Sequence, residues 1–110
     1  MEHTVIITHP DGTAAGWQVK MLKWNGVDDR HPVRMPLVLR KAGDVFKGTL
    51  DLKDGIYSLV CDLNAGVELK VDLDPPSPLY QSDDPDWPVE LSVPPLRHRD
   101  TFLVYFTVGG

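Results

Sequence analysis

Trp17, Trp24 and Trp87 are the side chains best suited to hold a partner by contact alone, because an aromatic face stacks on a sugar ring or anchors a protein surface. Trp17 shares strand parity with Val19 and Met21 and is expected in the core. Trp24 has the opposite parity, with Gln18, Lys20 and Leu22, and is expected on an outer face. Trp87 lies in a proline-rich stretch within reach of a partner, close to Tyr80 and to the carboxylates of Asp83, Asp84 and Asp86. Those carboxylates suggest calcium, which takes six to eight oxygens, but Pro85 interrupts them and no glycine and distal glutamate follow. A solvated acidic rim is the expectation, with no metal. The histidines are no better placed: His3 and His9 face the same way on one strand yet stand roughly 20 Å apart at its extended rise. His31 precedes Pro32, and His98 sits between Arg97 and Arg99. Cys61 alternates with Tyr57, Leu59 and Leu63, so it points inward as a small hydrophobe. No Gly-x-Ser-x-Gly and no glycine-rich phosphate loop occurs, and Ser58 and Ser92 lie within strands. The residues imply no cofactor and no catalysis.

Charge narrows the partners. Lys plus Arg is 11 against 16 for Asp plus Glu, a net charge of -5, and no basic cluster exists along the chain. Nucleic acid and anionic membrane surfaces are therefore disfavoured, since both need several cations on one face. The longest stretch without Asp, Glu, Lys or Arg, Thr101 to Gly110, is half the roughly 20 apolar residues that span a bilayer, so membrane insertion is not expected. The start, Met1 Glu2 His3 Thr4, lacks a basic segment followed by an apolar one, so no secretory signal is read there. With one cysteine there is no disulfide within the chain, which fits a reducing cytosol. At 110 residues, 42% hydrophobic and 25% charged, residues 1–110 read as one packed domain.

The elements that must position these groups are strands. Thirteen Val stand against 4 Ala, and 13 Asp against 3 Glu, so the good helix formers are scarce. Nine Gly and 10 Pro leave Leu96 to Val108 as the longest segment free of both, and its aromatic and β-branched end argues strand. Val67, Leu69, Val71 and Leu73 alternate with Glu68, Lys70, Asp72 and Asp74, one face dry and one wet. Tyr57, Leu59, Cys61 and Leu63 form another inward set, and Phe46, Leu50 and Leu52 a third. With Asp54 Gly55 and Asn64 Ala65 Gly66 between them, residues 45 to 74 read as a three-stranded meander. Thr4 to His9 and Trp17 to Trp24 read as a hairpin around Asp11 Gly12. Val33 to Leu39 alternates, and Pro36 confines it to an edge or bulge. Pro88 to Val93 and Phe102 to Val108 complete seven or eight short strands, the pattern of an antiparallel β-sandwich or small barrel. Pro75 to Pro88, with five prolines, three acids and no base, is a stiff connection crossing between sheets.

The run Leu50 to Cys61, with Leu52, Asp54 Gly55 and Tyr57, resembles the corner before a late strand in immunoglobulin-like and fibronectin type III domains. There a leucine and an aspartate or glycine turn precede a tyrosine. The resemblance covers about a dozen residues and implies an immunoglobulin-like sandwich; Cys61 departs from it, four residues after the tyrosine rather than two, and such folds do not fix function. The ending Val108 Gly109 Gly110 resembles ubiquitin-like modifiers and sulfur carriers, yet Asn25 to Pro36 shows no helical period where those folds carry a helix.

The reading is a monomeric or homodimeric sandwich that binds another macromolecule, most readily a protein, through Tyr80, Trp87, Asp83, Asp84, Asp86 and Trp24. The alternatives are a carbohydrate-binding module that stacks sugars on Trp24, Trp87 and Tyr80, and a diglycine-terminated carrier.

Overall fold

The computed structural model describes residues 1–26, 28–79 and 87–109. They form nine strands: β1 (Glu2–Thr8), β2 (Trp17–Trp24), β3 (Val33–Met35), β4 (Arg40–Ala42), β5 (Val45–Asp51), β6 (Gly55–Leu63), β7 (Glu68–Asp74), β8 (Val89–Ser92) and β9 (Asp100–Val108). Two antiparallel sheets result, β4-β5-β1-β7-β8 and β3-β2-β6-β9, and the described residues contain no helix. The all-β sandwich expected from the sequence is present. Its strand count exceeds seven or eight because the strand expected over Val33 to Leu39 ends at Met35 as β3, and a further strand, β4, forms beyond it at Arg40–Ala42. Pro36 has no N–H to give, so pairing with β2 stops at Met35, and the chain re-enters as β4 in the other sheet.

Two local pairings expected from the turns do not form. β1 and β2 are not a hairpin; β1 lies between β5 and β7, while β2 pairs with β3 and β6. Nor are residues 45 to 74 a meander, because β6 sits in the other sheet between β2 and β9. The proline-rich connection, in turn, does not carry the chain from one sheet to the other, since the strands on either side of it, β7 and β8, pair within the five-stranded sheet. The cause is shared burial. Both sheets turn an apolar face to the same core, so a strand keeps its inward set whether the preceding corner folds back or crosses over.

That core joins Val5, Ile7, Phe46, Leu69, Val71 and Leu73 from the five-stranded sheet to Met21, Tyr57, Leu59, Cys61, Leu63 and Phe106 from the four-stranded one. Each large apolar side chain fully removed from water contributes about 1.5–3 kcal/mol. Trp17 points its ring edge at Phe46, 5.2 Å between centroids, and so spans the sandwich as its parity predicts. Tyr57 and Phe106, opposite one another in the β6–β9 register, stack at 5.6 Å. On the inner side of β5, Gly48 admits the segment before β4: a Cβ there would lie 2.6 Å from the Val38 carbonyl oxygen.

At the β5–β6 corner the Tyr57 hydroxyl donates to the Lys53 carbonyl, 2.7 Å away, while Leu52 is fully buried beneath it. Burial pushes the Tyr57 phenol above its ordinary pKa.

Candidate functional site

The outer faces of the two sheets differ in kind. Across the five-stranded sheet, register aligns Thr49, Thr4 and Asp74 in one row and Lys47, Ile6 and Asp72 in the next, a mostly polar surface facing water. Across the four-stranded sheet the outward rows are Trp24, Ile56 and Thr107; Leu22, Ser58 and Tyr105; and Lys20, Val60 and Leu103. Six of these nine positions are large and apolar. Leu103 is 50% exposed, and Leu22, Trp24, Ile56, Val60 and Tyr105 are partly exposed. Lys20 and Arg34 edge this face along β2 and β3, and Asp62 lies beyond Val60.

Trp24, placed on an outer face by its parity, is the centre of the arrangement. Its indole N–H donates to Ser58 Oγ at 2.9 Å, and its ring meets Tyr105 at 5.9 Å with the planes tilted by 51°. Trp24 thus reaches from β2 across β6 to β9. Ser58, although it points away from the core, is wholly buried. Its hydroxyl holds the indole in one orientation and ties the outer side of β2 to that of β6. The loop after Trp24 is also tied: Asp29 accepts from the backbone N–H of Asn25 at 2.9 Å and of His31 at 2.8 Å. These hydrogen bonds hold the Asp29 carboxyl below its usual pKa.

Trp87 lies elsewhere. Its indole N–H donates to the Ser77 carbonyl at 2.6 Å and its ring edge meets Phe106 at 5.8 Å, so it fastens the proline-rich connection to the end of β9. The structure does not bring it together with Trp24. Tyr80, Asp83, Asp84 and Asp86 lie outside the described residues.

Among the described residues no group of three or more His, Cys, Asp and Glu is arranged to hold a metal ion. One histidine and serine do meet. His3 Nδ1 contacts the Met1 carbonyl at 3.1 Å, which requires that nitrogen to carry the proton, so Nε2 accepts from the Ser77 hydroxyl at 3.1 Å. The hydrogen-bond order is that of a serine–histidine pair in catalysis, but both side chains are buried, and the bond ties β1 to the start of the connection. Burial pushes the Cys61 thiol up to about 12, which keeps it protonated and unreactive. An open groove of about 490 Å³ beside β7 and β8 is lined by Thr8, Pro10, Glu68, Lys70, Glu90 and Ser92. Lys70 and Glu90 stand 3.9 Å apart there, both exposed, and no buried reactive group faces the opening. Past β9, Gly109 packs against the β5–β6 corner, where a Cβ would run into the Asp54 carboxylate.

Sequence reasoning reached Trp24 but missed Ile56, Ser58, Val60, Leu103 and Tyr105. The signal was present in β6 and β9. Ile56 to Cys61 and Phe102 to Phe106 are apolar at both parities, save for Ser58, whereas a strand with one wet face alternates. Comparison of the chain with protein-family models, with curated proteins and with solved structures finds no match.

Proposed function

We propose that this protein is a non-enzymatic binding module that recognises another protein through the outer face of its four-stranded sheet. The observation that supports this reading is the apolar surface of Leu22, Trp24, Ile56, Val60, Leu103 and Tyr105, set against the polar outer face of the other sheet. A contiguous exposed apolar patch with an aromatic centre and a polar rim is the anatomy of a protein interface, in which a few anchors each carry about 2 kcal/mol or more. Lys20 and Arg34 on the rim favour a partner with acidic groups around an apolar centre. The proline-rich connection is a second contact in this proposal, with Tyr80 and Trp87 as aromatic area and Asp83, Asp84 and Asp86 as a negative rim.

The proposal extends to an immunoglobulin-like plan. The order β2-β6-β9 parallels strands C, F and G of such domains, with the tyrosine corner opening the F-like strand, and β4-β5-β1 parallels D, E and B. The strand beside the B-like β1 is β7, which follows the F-like strand in sequence instead of preceding B.

Leu22→Lys tests the binding face. Proteins captured by the immobilised wild-type chain and confirmed by titration should be lost with the variant while its melting temperature holds. Equal binding by the variant would reject the face, and saturable glycan binding that quenches tryptophan fluorescence would favour the carbohydrate reading instead.

A further inference from the structure

A protease holds its substrate as an extended strand, by hydrogen bonds to the main chain on both sides of the bond it cuts. A folded chain is therefore cut where several successive residues are exposed and their main-chain groups are not already engaged. An enzyme directed to basic residues finds few such places here. All of the 11 Lys and Arg residues except Arg30, Lys53, Arg97 and Arg99 lie on strands. Arg30 and Lys53 are tied at the bond itself. The Arg30–His31 bond gives its N–H to Asp29 at 2.8 Å, and the Lys53–Asp54 bond has its carbonyl held by the Tyr57 hydroxyl at 2.7 Å. Arg99 is joined directly to β9, whose first residue, Asp100, pairs with Leu63.

The Arg97–His98 bond differs from all of these. It lies in the segment from Pro94 to Asp100, where every residue is exposed and Leu96 completely so. One main-chain hydrogen bond shapes this loop, from the Arg97 N–H to the Pro94 carbonyl at 3.0 Å. Among the described residues, neither the Arg97 carbonyl nor the His98 N–H has a partner. Pro95 and Leu96 offer an enzyme apolar contacts just ahead of Arg97. The loop is also where the chain changes sheets, since β8 belongs to the five-stranded sheet and β9 to the four-stranded one. A cut there separates β9 covalently from all that precedes it.

We propose that Arg97–His98 is a processing site for an arginine-directed endoprotease, and that hydrolysis there leaves β9 seated as a separate strand. Water adds across the bond: the C–N bond breaks, a carboxylate forms on Arg97 and an ammonium group on His98. The strand stays because its contacts lie elsewhere. Each residue from Asp100 to Val108 stands opposite a residue of β6, and Val104, Phe106 and Val108 are buried. The Phe106 ring stacks on Tyr57 at 5.6 Å and meets Trp87 at 5.8 Å. None of those partners belongs to the exposed loop. Folding of the cut protein is then an association of two pieces, so its stability depends on their concentration, which that of the intact chain does not. Processing thus turns β9 from a part of the chain into a bound peptide. This inference does not depend on the proposed partner of the outer face.

Limited digestion of the native full chain with trypsin, followed by mass spectrometry, tests it. The expected result is a first cut between Arg97 and His98. Both pieces should leave a gel-filtration column together in native buffer and part only in urea, with the far-ultraviolet circular dichroism of the intact chain retained. The melting temperature of the cut protein should lie below that of the intact chain and rise with protein concentration. Arg97→Gln should slow the first cut by about tenfold or more, since the remaining sites are cut only after local opening. Its own melting temperature should hold, because Arg97 is exposed. A first cut at any other bond, an unchanged rate in Arg97→Gln, or loss of the β9 piece in native buffer overturns the proposal.

Discussion

Removing the indole N–H of Trp24 while keeping an aromatic ring isolates what Ser58 does. In Trp24→Phe the Ser58 hydroxyl, on a residue with no exposed surface, loses the only side-chain partner it has among the described residues. A buried polar group left unpaired costs about 1–3 kcal/mol. The smaller ring adds a packing loss of about 1 kcal/mol, from the methylene-sized area it no longer covers. For a chain of this length the melting temperature falls about 4 °C per kcal/mol, so the variant should melt roughly 8–16 °C lower. Ser58→Ala should cost less, because the half-buried indole can turn its N–H to water. The double variant carries no orphaned hydroxyl and should be more stable than the two single losses added together, with a coupling of about 1–2 kcal/mol. Urea unfolding followed by far-ultraviolet circular dichroism on all four proteins measures that coupling. Additivity within about 0.3 kcal/mol would show that the hydrogen bond does not hold the outer face together.

Two further outcomes follow from burial and close approach. Gly48→Ala places a methyl group against the Val38 carbonyl and the Leu37 side chain, and should cost about 1–3 kcal/mol in the same urea assay. The Cys61 thiol, raised from about 9 to about 12 by burial, favours the folded state fully below pH 9 and loses that advantage as pH climbs toward 12, because only the unfolded chain ionises there. Stability should therefore drop across that window, Cys61→Ala should flatten the drop, and the native thiol should resist a maleimide at neutral pH.

What could be read without coordinates was face, and what could not was neighbourhood. Leu69, Val71 and Leu73 are buried as their alternation requires, and Cys61 and Tyr57 follow the same rule. Trp24 faces outward for the same reason. Parity, however, assigns a side of a strand and not a sheet, and Asp54 Gly55 serves a crossing corner as well as a hairpin. The pairing of β5 with β1, and of β6 with β2, was therefore hidden. So was the meeting of Trp24 with Tyr105, which depends on two registers at once. Ser58 gave no sign of its role, since a serine within a strand looks neutral until an indole is found above it.

The interleaving of the two sheets bears on how fast this chain can find its shape. Of the consecutive strands, only β2 with β3, β4 with β5, and β7 with β8 lie side by side. Every other ladder joins distant segments: Trp17 pairs with Leu63, and Glu2 with Asp51. Each such closure restricts a long stretch of chain before any ladder bond is gained, at a cost that grows with the logarithm of the loop. Topologies of this kind reach the native state in about milliseconds to seconds, orders of magnitude slower than helical bundles of equal size. During that interval β6 would lie with neither neighbour in place, its residues apolar on both faces, which makes it the segment most exposed to misassociation when the protein is refolded at high concentration.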